Sequence, residues 1–299
     1  MPIDLNCDLG EAFGQYTLGN DAAIMPFITS ANIACGFHAG DASVMQATVR
    51  LAKQHGVNIG AHPGWPDFQN FGRNEMDLPA DKTEALVLYQ ISALAGIAKA
   101  EGMELVHVKP HGALYNQAAL DQVLARAIVR AVKAFSRKLI LVGLAGSLLV
   151  KAGAALGLHV ANEAFPDRGY NPDGTLMSRK LPGAILENPQ EVAANAVRLA
   201  QAGIRFGEEI IIPETLCLHG DNAHAAENAQ LVRDELEKAG AIGVLLCGSG
   251  ASVFGLARNE RHARGIAECV KKALGFPVWS KVARTLPDGV MAAHGPLEA

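Results

Sequence analysis

A surplus of positive charge is missing from this sequence. Its 26 Lys and Arg residues are outnumbered by 30 Asp and Glu, a formal charge of −4, which argues against a general nucleic-acid binder, since such proteins need a basic face. No apolar run approaches the roughly 18–20 residues of a membrane span, so no membrane partner is expected. The first residues, MPIDLNCDLGE, lack the basic flank and apolar stretch of a secretion signal. The five cysteines, Cys7, Cys35, Cys217, Cys247 and Cys269, are scattered and never form a Cys-x-x-Cys pair. That usage fits a reducing, cytoplasmic setting and no structural zinc site. Three nucleotide or nucleophile signatures are also absent: Gly-x-x-x-x-Gly-Lys-Ser/Thr, Gly-x-Gly-x-x-Gly and Gly-x-Ser-x-Gly. The chain is therefore expected neither to hold ATP in a phosphate loop nor to form a serine acyl-enzyme.

What is present is core material. Hydrophobic residues make up 49% of 299 and charged residues 19%, ample for one large folded unit. Short β-type runs at 3–9, 29–35, 57–61, 105–109, 139–142, 158–162 and 215–218 alternate with helical patterns near 42–55, 81–101, 118–135, 145–155, 189–203 and 223–239. In the second helix Leu86, Leu88, Tyr89, Ile91, Leu94 and Ile97 recur at helical spacing and Gly102 offers a stop. Steady strand–helix alternation implies parallel pairing through right-handed crossovers, and seven units suit a closed or nearly closed barrel. Charge shifts along the chain: residues 1–242 hold 19 basic against 26 acidic side chains, and residues 243–299 hold 7 against 4. A domain boundary is expected near Gly243.

The apolar runs end at polar side chains. The first meets Asn6 and Asp8, the second leads to His38, the third to His62, the fourth to Lys109 and His111, the sixth to Glu163, and the seventh to His219. In a parallel barrel the carboxyl ends of the strands share one rim, so these residues are expected around one mouth. A lone histidine at a strand end is more often a structural residue, but four at equivalent ends beside acids and a lysine point to a site. His55, His107, His159, His224, His262 and His294 are read as structural. Asp8, His38 and His62 are candidate ligands of a divalent metal, though no local His-x-x-x-His or His-x-His pair supports them, and general acid–base work is placed ahead of metal binding. Lys109 and His111 share a face if the strand continues past Pro110; alternatively Lys109 partners a buried acid such as Glu163. Arg168, in the turn-rich stretch after the sixth strand, and Arg73 are candidates to bind a substrate carboxylate. For Arg168 a solvated pair with Asp167 or Asp173 is the alternative. Cys7 and Cys35 are read as packing residues.

Taken in order, Asp4-Leu-Asn-Cys-Asp-Leu-Gly-Glu11, Ser30-Ala-Asn-Ile-Ala-Cys-Gly-Phe-His-Ala-Gly-Asp41, Gly60-Ala-His-Pro63, His107-Val-Lys-Pro-His-Gly112, Val142-Gly-Leu-Ala-Gly-Ser147, Glu163-Ala-Phe-Pro-Asp-Arg-Gly-Tyr170 and Cys217-Leu-His-Gly-Asp221 resemble the LamB/YcsF-like family over residues 1–240. The resemblance implies an α/β fold, a seven-stranded distorted parallel β/α barrel of glycoside hydrolase/deacetylase type. It also implies ATP-dependent opening of 5-oxoproline (pyroglutamate) to L-glutamate, performed with the separate B and C subunits of a 5-oxoprolinase. The family pattern carries over onto Asp8, His38, His62, Lys109, His111, Glu163, Arg168 and His219. A five-membered lactam is a resonance-stabilised amide, so its hydrolysis needs an external drive; with no ATP cradle here, the nucleotide is expected to be bound wholly or partly by the partners. Asp8 and a rim histidine are expected to activate water, Lys109 or His111 to stabilise charge on the former carbonyl oxygen, and Asn6, Arg73 and Arg168 to bind substrate. Two alternatives stay open: a metal-dependent deacetylase or amidohydrolase of a small substrate, and a non-catalytic lactam-binding subunit.

Residues 243–299 depart from the family. Leu245-Leu-Cys-Gly-Ser-Gly-Ala-Ser-Val-Phe-Gly-Leu256, a helical stretch near 259–273, and Pro277-Val-Trp-Ser-Lys-Val-Ala-Arg-Thr-Leu286 resemble the C-terminal end of GHMP-superfamily kinases, particularly diphosphocytidyl-methylerythritol kinase. A tail this short cannot bury much core alone. It is expected as a small β-α-β extension without autonomous kinase activity, structural in preference to phosphate-binding through Gly248–Gly250.

Overall fold

The computed structural model describes residues 3–206, 208–219 and 224–238. Seven parallel strands, β1 (Asp4–Leu9), β2 (Ser30–Ala34), β3 (Asn58–His62), β4 (Leu105–Val108), β5 (Ile140–Leu144), β6 (His159–Ala164) and β9 (Thr215–His219), close into a barrel in that order, β9 pairing with both β6 and β1. The closed parallel barrel expected from seven alternating units is the one found. A two-stranded antiparallel ribbon, β7 (Ile204–Phe206) with β8 (Glu209–Ile211), stands outside it. The tail beyond 238, with the expected boundary at Gly243 and the extension, lies outside the described residues.

Around the barrel run the short α1 (Asp21–Ile24), then α2 (Ala42–His55), α3 (Ala80–Ala100), α4 (Gly112–Leu120), α5 (Gln122–Phe135), α6 (Leu148–Ala155), α7 (Pro189–Ala202) and α8 (Ala225–Lys238). Their ends have local causes. The Asp41 carboxylate accepts from the Ser43 and Val44 amides to start α2, and Gly56 ends it with a φ of 67°. The helix expected over 118–135 is two helices. Asp121 takes an extended backbone and accepts from the Val123 and Leu124 amides, which ends α4 and caps α5. The rest of α4 escaped the sequence pattern because Ala113, Leu114, Tyr115, Ala118 and Ala119 are buried around most of its circumference, leaving no polar stripe to set a period.

Alternation sorts each strand. On β1, Leu5, Cys7 and Leu9 join the apolar core between barrel wall and helix ring, while Asp4, Asn6 and Asp8 point inward and are also buried. Ser30 and Asn32 on β2, His107 on β4 and Thr215 on β9 also face the interior. Their side chains form one ladder. Thr215 and Ser30 donate to Asp4, Asn6 donates to Thr215 (2.6 Å), Asn32 donates to Asn6 (2.6 Å) and His107 donates to the Asn32 oxygen (2.7 Å). Cys7 and Cys35 are packing residues, as expected. His107 is a structural member of the ladder, and burial pushes it down to about 3, so it is neutral.

The barrel is irregular where the interior demands it. The β3–β4 register shifts between Ile59 and Gly60, and the His107 ring lies over Gly60 where a Cβ would come within 2.2 Å. β6 and β9 share only the pairs Glu163↔Thr215 and Ala164↔Leu216. No helix among the described residues is long and apolar enough to cross a membrane. Gly60→Ala should lower stability by about 1–3 kcal/mol through overpacking. Gly96→Ala, in mid-helix with nothing within 4 Å of an added methyl, should raise it by about 0.5–1 kcal/mol. Urea unfolding of the two variants checks both signs.

Candidate active site

At the carboxyl ends of the strands the interior ladder meets an ion-paired layer. Lys109 Nζ lies 2.9 Å from Asp8 Oδ1 and 3.0 Å from Glu163 Oε1, and all three side chains are buried. Asn32 donates to Asp8 (2.8 Å), Asn6 donates to Glu163 (2.9 Å), and Tyr115 donates to the other Glu163 oxygen (2.7 Å). Lys109 also donates to Cys217 Sγ at 2.9 Å. Burial alone would lower Lys109, but the Asp8 and Glu163 carboxylates hold it well above its ordinary value. Burial alone would raise Asp8, but the Lys109 ammonium beside it holds it well below the carboxylate range. Both are charged at neutral pH. Burial and the Asp8 charge push the Cys217 thiol well up, so it stays protonated.

Above this layer lie three histidines and Glu11. The His38 and His111 rings stack with centroids 3.7 Å apart and planes 4° apart, and His62 stands edge-on to both. His62 donates from Nδ1 to the Lys109 carbonyl (2.7 Å) and His111 from Nε2 to the Phe71 carbonyl (2.8 Å). Burial, then the neighbouring imidazoles, lowers His38 and His111 well below their ordinary value, so both rings are neutral. Lys109 and His111 do share a face: their amides donate to Ala61 and Pro63 of the adjacent segment, continuing strand pairing around Pro110. One ligand atom from each of Glu11, His38, His62 and His111 falls within 4.8 Å of the others. The acid in this group is Glu11, which carries no strand-end signal in the sequence; Asp8 engages Lys109 and Asn32 through Oδ1, while its Oδ2 lies 3.3 Å from His62 Nε2. Gly10, at φ 69° immediately after β1, turns the chain so that Glu11 returns over the mouth.

His219 comes from β9, paired in register with Asp8 on β1. It stands apart from the stacked histidines, against Phe165 (centroids 5.4 Å), and donates from Nδ1 to Asp167 at 2.9 Å. The Asp167 oxygen also accepts from the His219 amide (3.1 Å). A carboxylate can only accept, so the proton sits on Nδ1 and Nε2 is left to take another. Burial alone would raise Asp167, but His219 holds it below its ordinary value.

The remaining expected residues divide. Asn6 lies inside the ladder, with Glu163, Thr215, Asn32 and Lys109 on its amide. Arg168 is buried and donates to the Ala184 and Met177 carbonyls, pinning the stretch after β6 to itself. Arg73 is exposed at the rim, its guanidinium 5.0 Å from the Phe71 ring. Tyr115, Cys217 and the Asp167 partner of His219 give no signal in the linear chain, because their roles come from packing across the barrel. Asp167→Asn tests the pair by its pH dependence. Because the folded carboxyl titrates below its unfolded value of about 3.9, its contribution is present above that pH and fades as the pH falls through the folded value. The variant should lose about 1–3 kcal/mol at pH 7 and show a shallower loss than the parent in acid unfolding between about pH 5 and 3.

Two family profiles match the chain. The one described as LamB/YcsF family covers residues 3–245, and the one described as GHMP kinases C terminal covers residues 227–275. Among curated proteins, the A subunit of 5-oxoprolinase from Methylococcus capsulatus is 56% identical over 242 residues, spanning 80% of this chain and 93% of its own. That of Bacillus subtilis is 51% identical over 242 residues (80% and 94%), and that of Pyrococcus furiosus 50% over 244 (80% and 96%). Among solved structures, the lactam utilization protein from Thermus thermophilus is 46% identical with a TM-score of 0.75, covering 81% of this chain and 98% of its own. With the barrel, the motifs and these matches in agreement, the chain belongs to the LamB/YcsF family.

Proposed function

We propose that this chain is the A subunit of a cytoplasmic 5-oxoprolinase that opens 5-oxoproline to L-glutamate at the expense of ATP, together with B and C subunits. The observation that carries this reading is the breadth of the likeness: relatives named as the A subunit of 5-oxoprolinase are matched at 49–56% identity over 93–96% of their own length. ATP activates the lactam oxygen, and with no phosphate-loop motif in this sequence the nucleotide is assigned to the partner subunits. Residues 1–242 are assigned as the working barrel and 243–299 as an extension not needed for turnover.

The geometry supports distinct roles. His219, oriented by Asp167, is the base that takes a proton from water through Nε2. Asp8, kept ionised by Lys109, faces that water from the adjacent strand. The Lys109 ammonium, with Glu163 on its far side, supplies positive potential beneath the carbon under attack as its oxygen gains charge. Lys109 is buried, so it acts on this charge through Asp8 and the local field, as a positioning residue. Arg73 at the rim is assigned to the substrate carboxylate, while Arg168, whose Nε and one terminal nitrogen donate to Ala184 and Met177, shapes the wall. His111 belongs with the histidine cluster. That cluster favours a second reading, a metal-dependent amidohydrolase of a small substrate, which differs in needing no ATP.

The test is glutamate formation from 5-oxoproline with and without ATP and with and without the B and C subunits. ATP-dependent turnover that needs all three chains is expected. Turnover by this chain alone without ATP selects the amidohydrolase. Asp8→Asn should lower kcat about 10²–10⁴-fold and, by breaking the buried pair with Lys109, also lower stability by up to about 3–5 kcal/mol, with the barrel still folded by circular dichroism at the assay temperature. A chain ending at 242 should retain full activity.

A further inference from the structure

We propose that Glu11, His38, His62 and His111 bind one divalent first-row transition-metal ion, of the zinc class, at the barrel mouth. The site follows from donor chemistry and distance, and stands whether or not the ring-opening reading does.

The tautomers come first. A carbonyl oxygen accepts only, so the neutral His62 ring, bonded through Nδ1 to Lys109, has its lone pair at Nε2, where Asp8 Oδ2 also lies 3.3 Å away. By the same reasoning His111, bonded through Nε2 to Phe71, presents one at Nδ1. These two nitrogens lie 3.0 Å apart. Two lone pairs at that separation repel unless a cation sits between them. A histidine ligand that donates its other N–H to a backbone carbonyl is the usual arrangement around a bound metal, because it fixes ring orientation. Here two of the three rings do so.

The distances agree with a single ion. Four donors at about 2.0–2.1 Å from one zinc, arranged tetrahedrally, lie roughly 3.3–3.4 Å from one another. Three of the six separations here are near that value, 3.0 Å between His62 and His111, 3.5 Å from Glu11 Oε1 to His38 Nε2 and 3.7 Å from Glu11 Oε1 to His111 Nδ1, and all six fall within 4.8 Å. Three imidazoles and one carboxylate suit zinc, cobalt or manganese better than magnesium, which prefers oxygen and water.

His38 supplies an independent sign. Its ring is fully buried and neither nitrogen has a hydrogen bond, a cost that a native structure seldom leaves unanswered. The ring is held in place all the same. Added methyls at Gly64 and Gly72 would come within 2.7 Å of it, and His111 stacks on its face. Phe71, whose carbonyl orients His111, has a φ of 58°, the one left-handed non-glycine among the described residues. A bulky residue in that region is strained, and such strain persists where the surroundings enforce it.

The experiment uses the full chain, purified without affinity metals and assayed for metal content by mass spectrometry. It is then stripped with chelator and titrated with Zn²⁺, Co²⁺, Mn²⁺ and Mg²⁺ alone. About one transition ion per chain is expected, with a rise of roughly 5 °C or more in the unfolding midpoint on reloading and no rise with Mg²⁺. Co²⁺ should give the intense visible absorption of a four-coordinate site, a readout on the unaltered protein that needs no variant to fold. Glu11→Gln and His38→Asn should each cut retained metal at least tenfold. His219→Asn should keep the metal while losing 5-oxoproline turnover, which separates this inference from the proposed reaction. Fewer than about 0.1 ion per chain with no response to any transition ion would overturn the site, leaving a proton on His62 shared with His111 and Asp8. So would metal content unchanged in both Glu11→Gln and His38→Asn.

Discussion

One ammonium group orders the barrel. Parallel-barrel interiors are ordinarily filled by branched apolar side chains, but here strand alternation delivers Asp4, Asn6, Asp8, Asn32, His107 and Glu163 to the inside. Two carboxylates at 2.9 and 3.0 Å from Lys109 Nζ are tolerable only because that charge sits between them and Asn32, Asn6, Tyr115 and His62 engage their oxygens. Removing one partner of a buried ion pair costs about 3–5 kcal/mol, and well-packed apolar replacements are often neutral or better. Retaining an ionic interior therefore sacrifices stability. What it secures is a carboxylate, Asp8, that stays charged in a place where burial alone would neutralise it.

The mouth above is organised in the opposite sense. Burial drives His38 and His111 to the neutral form, while the ion-paired layer just below stays charged. Neutral imidazoles are ligands, ionised acids accept protons or coordinate, and the two kinds lie in adjoining layers. The arrangement is rigid because backbone encloses it. Gly64 and Gly72 pack against His38 with no room for a side chain, and the carbonyls of Lys109 and Phe71 fix the other two rings. His219 stands apart from the cluster with its own acid, Asp167, 2.9 Å from its Nδ1.

The likeness to kinase C-termini begins inside the barrel. Its first dozen residues fall in α8, which packs on α7 and buries Ala229, Val232 and Leu236 in the same apolar core as the strands. An amphipathic helix with that spacing meets a general packing requirement, so this part of the match carries no kinase chemistry.

Much of this architecture was legible before folding was considered. Strand–helix alternation declares parallel pairing, seven units declare a barrel, and a polar residue at each strand end declares a shared rim, because period-two backbone and crossover handedness leave little else possible. Asp8, His38, His62, Lys109, His111, Glu163 and His219 all carry that local signal. Glu11 does not: it lies beyond the strand, and only the left-handed turn at Gly10 brings it over the mouth. Asp167 finds His219 across 52 residues, and Tyr115 reaches Glu163 from a helix with no polar stripe. Asn6 and Arg168 look like substrate contacts in the linear chain, but the interior ladder takes up the Asn6 amide, and two Arg168 nitrogens donate to the Ala184 and Met177 carbonyls. Local sequence determined which side chains stand at the rim, since strand geometry is a short-range property. Which of them face one another, and in what protonation state, was decided only by closure of the barrel, because distance and burial are set by contacts between residues far apart in the chain.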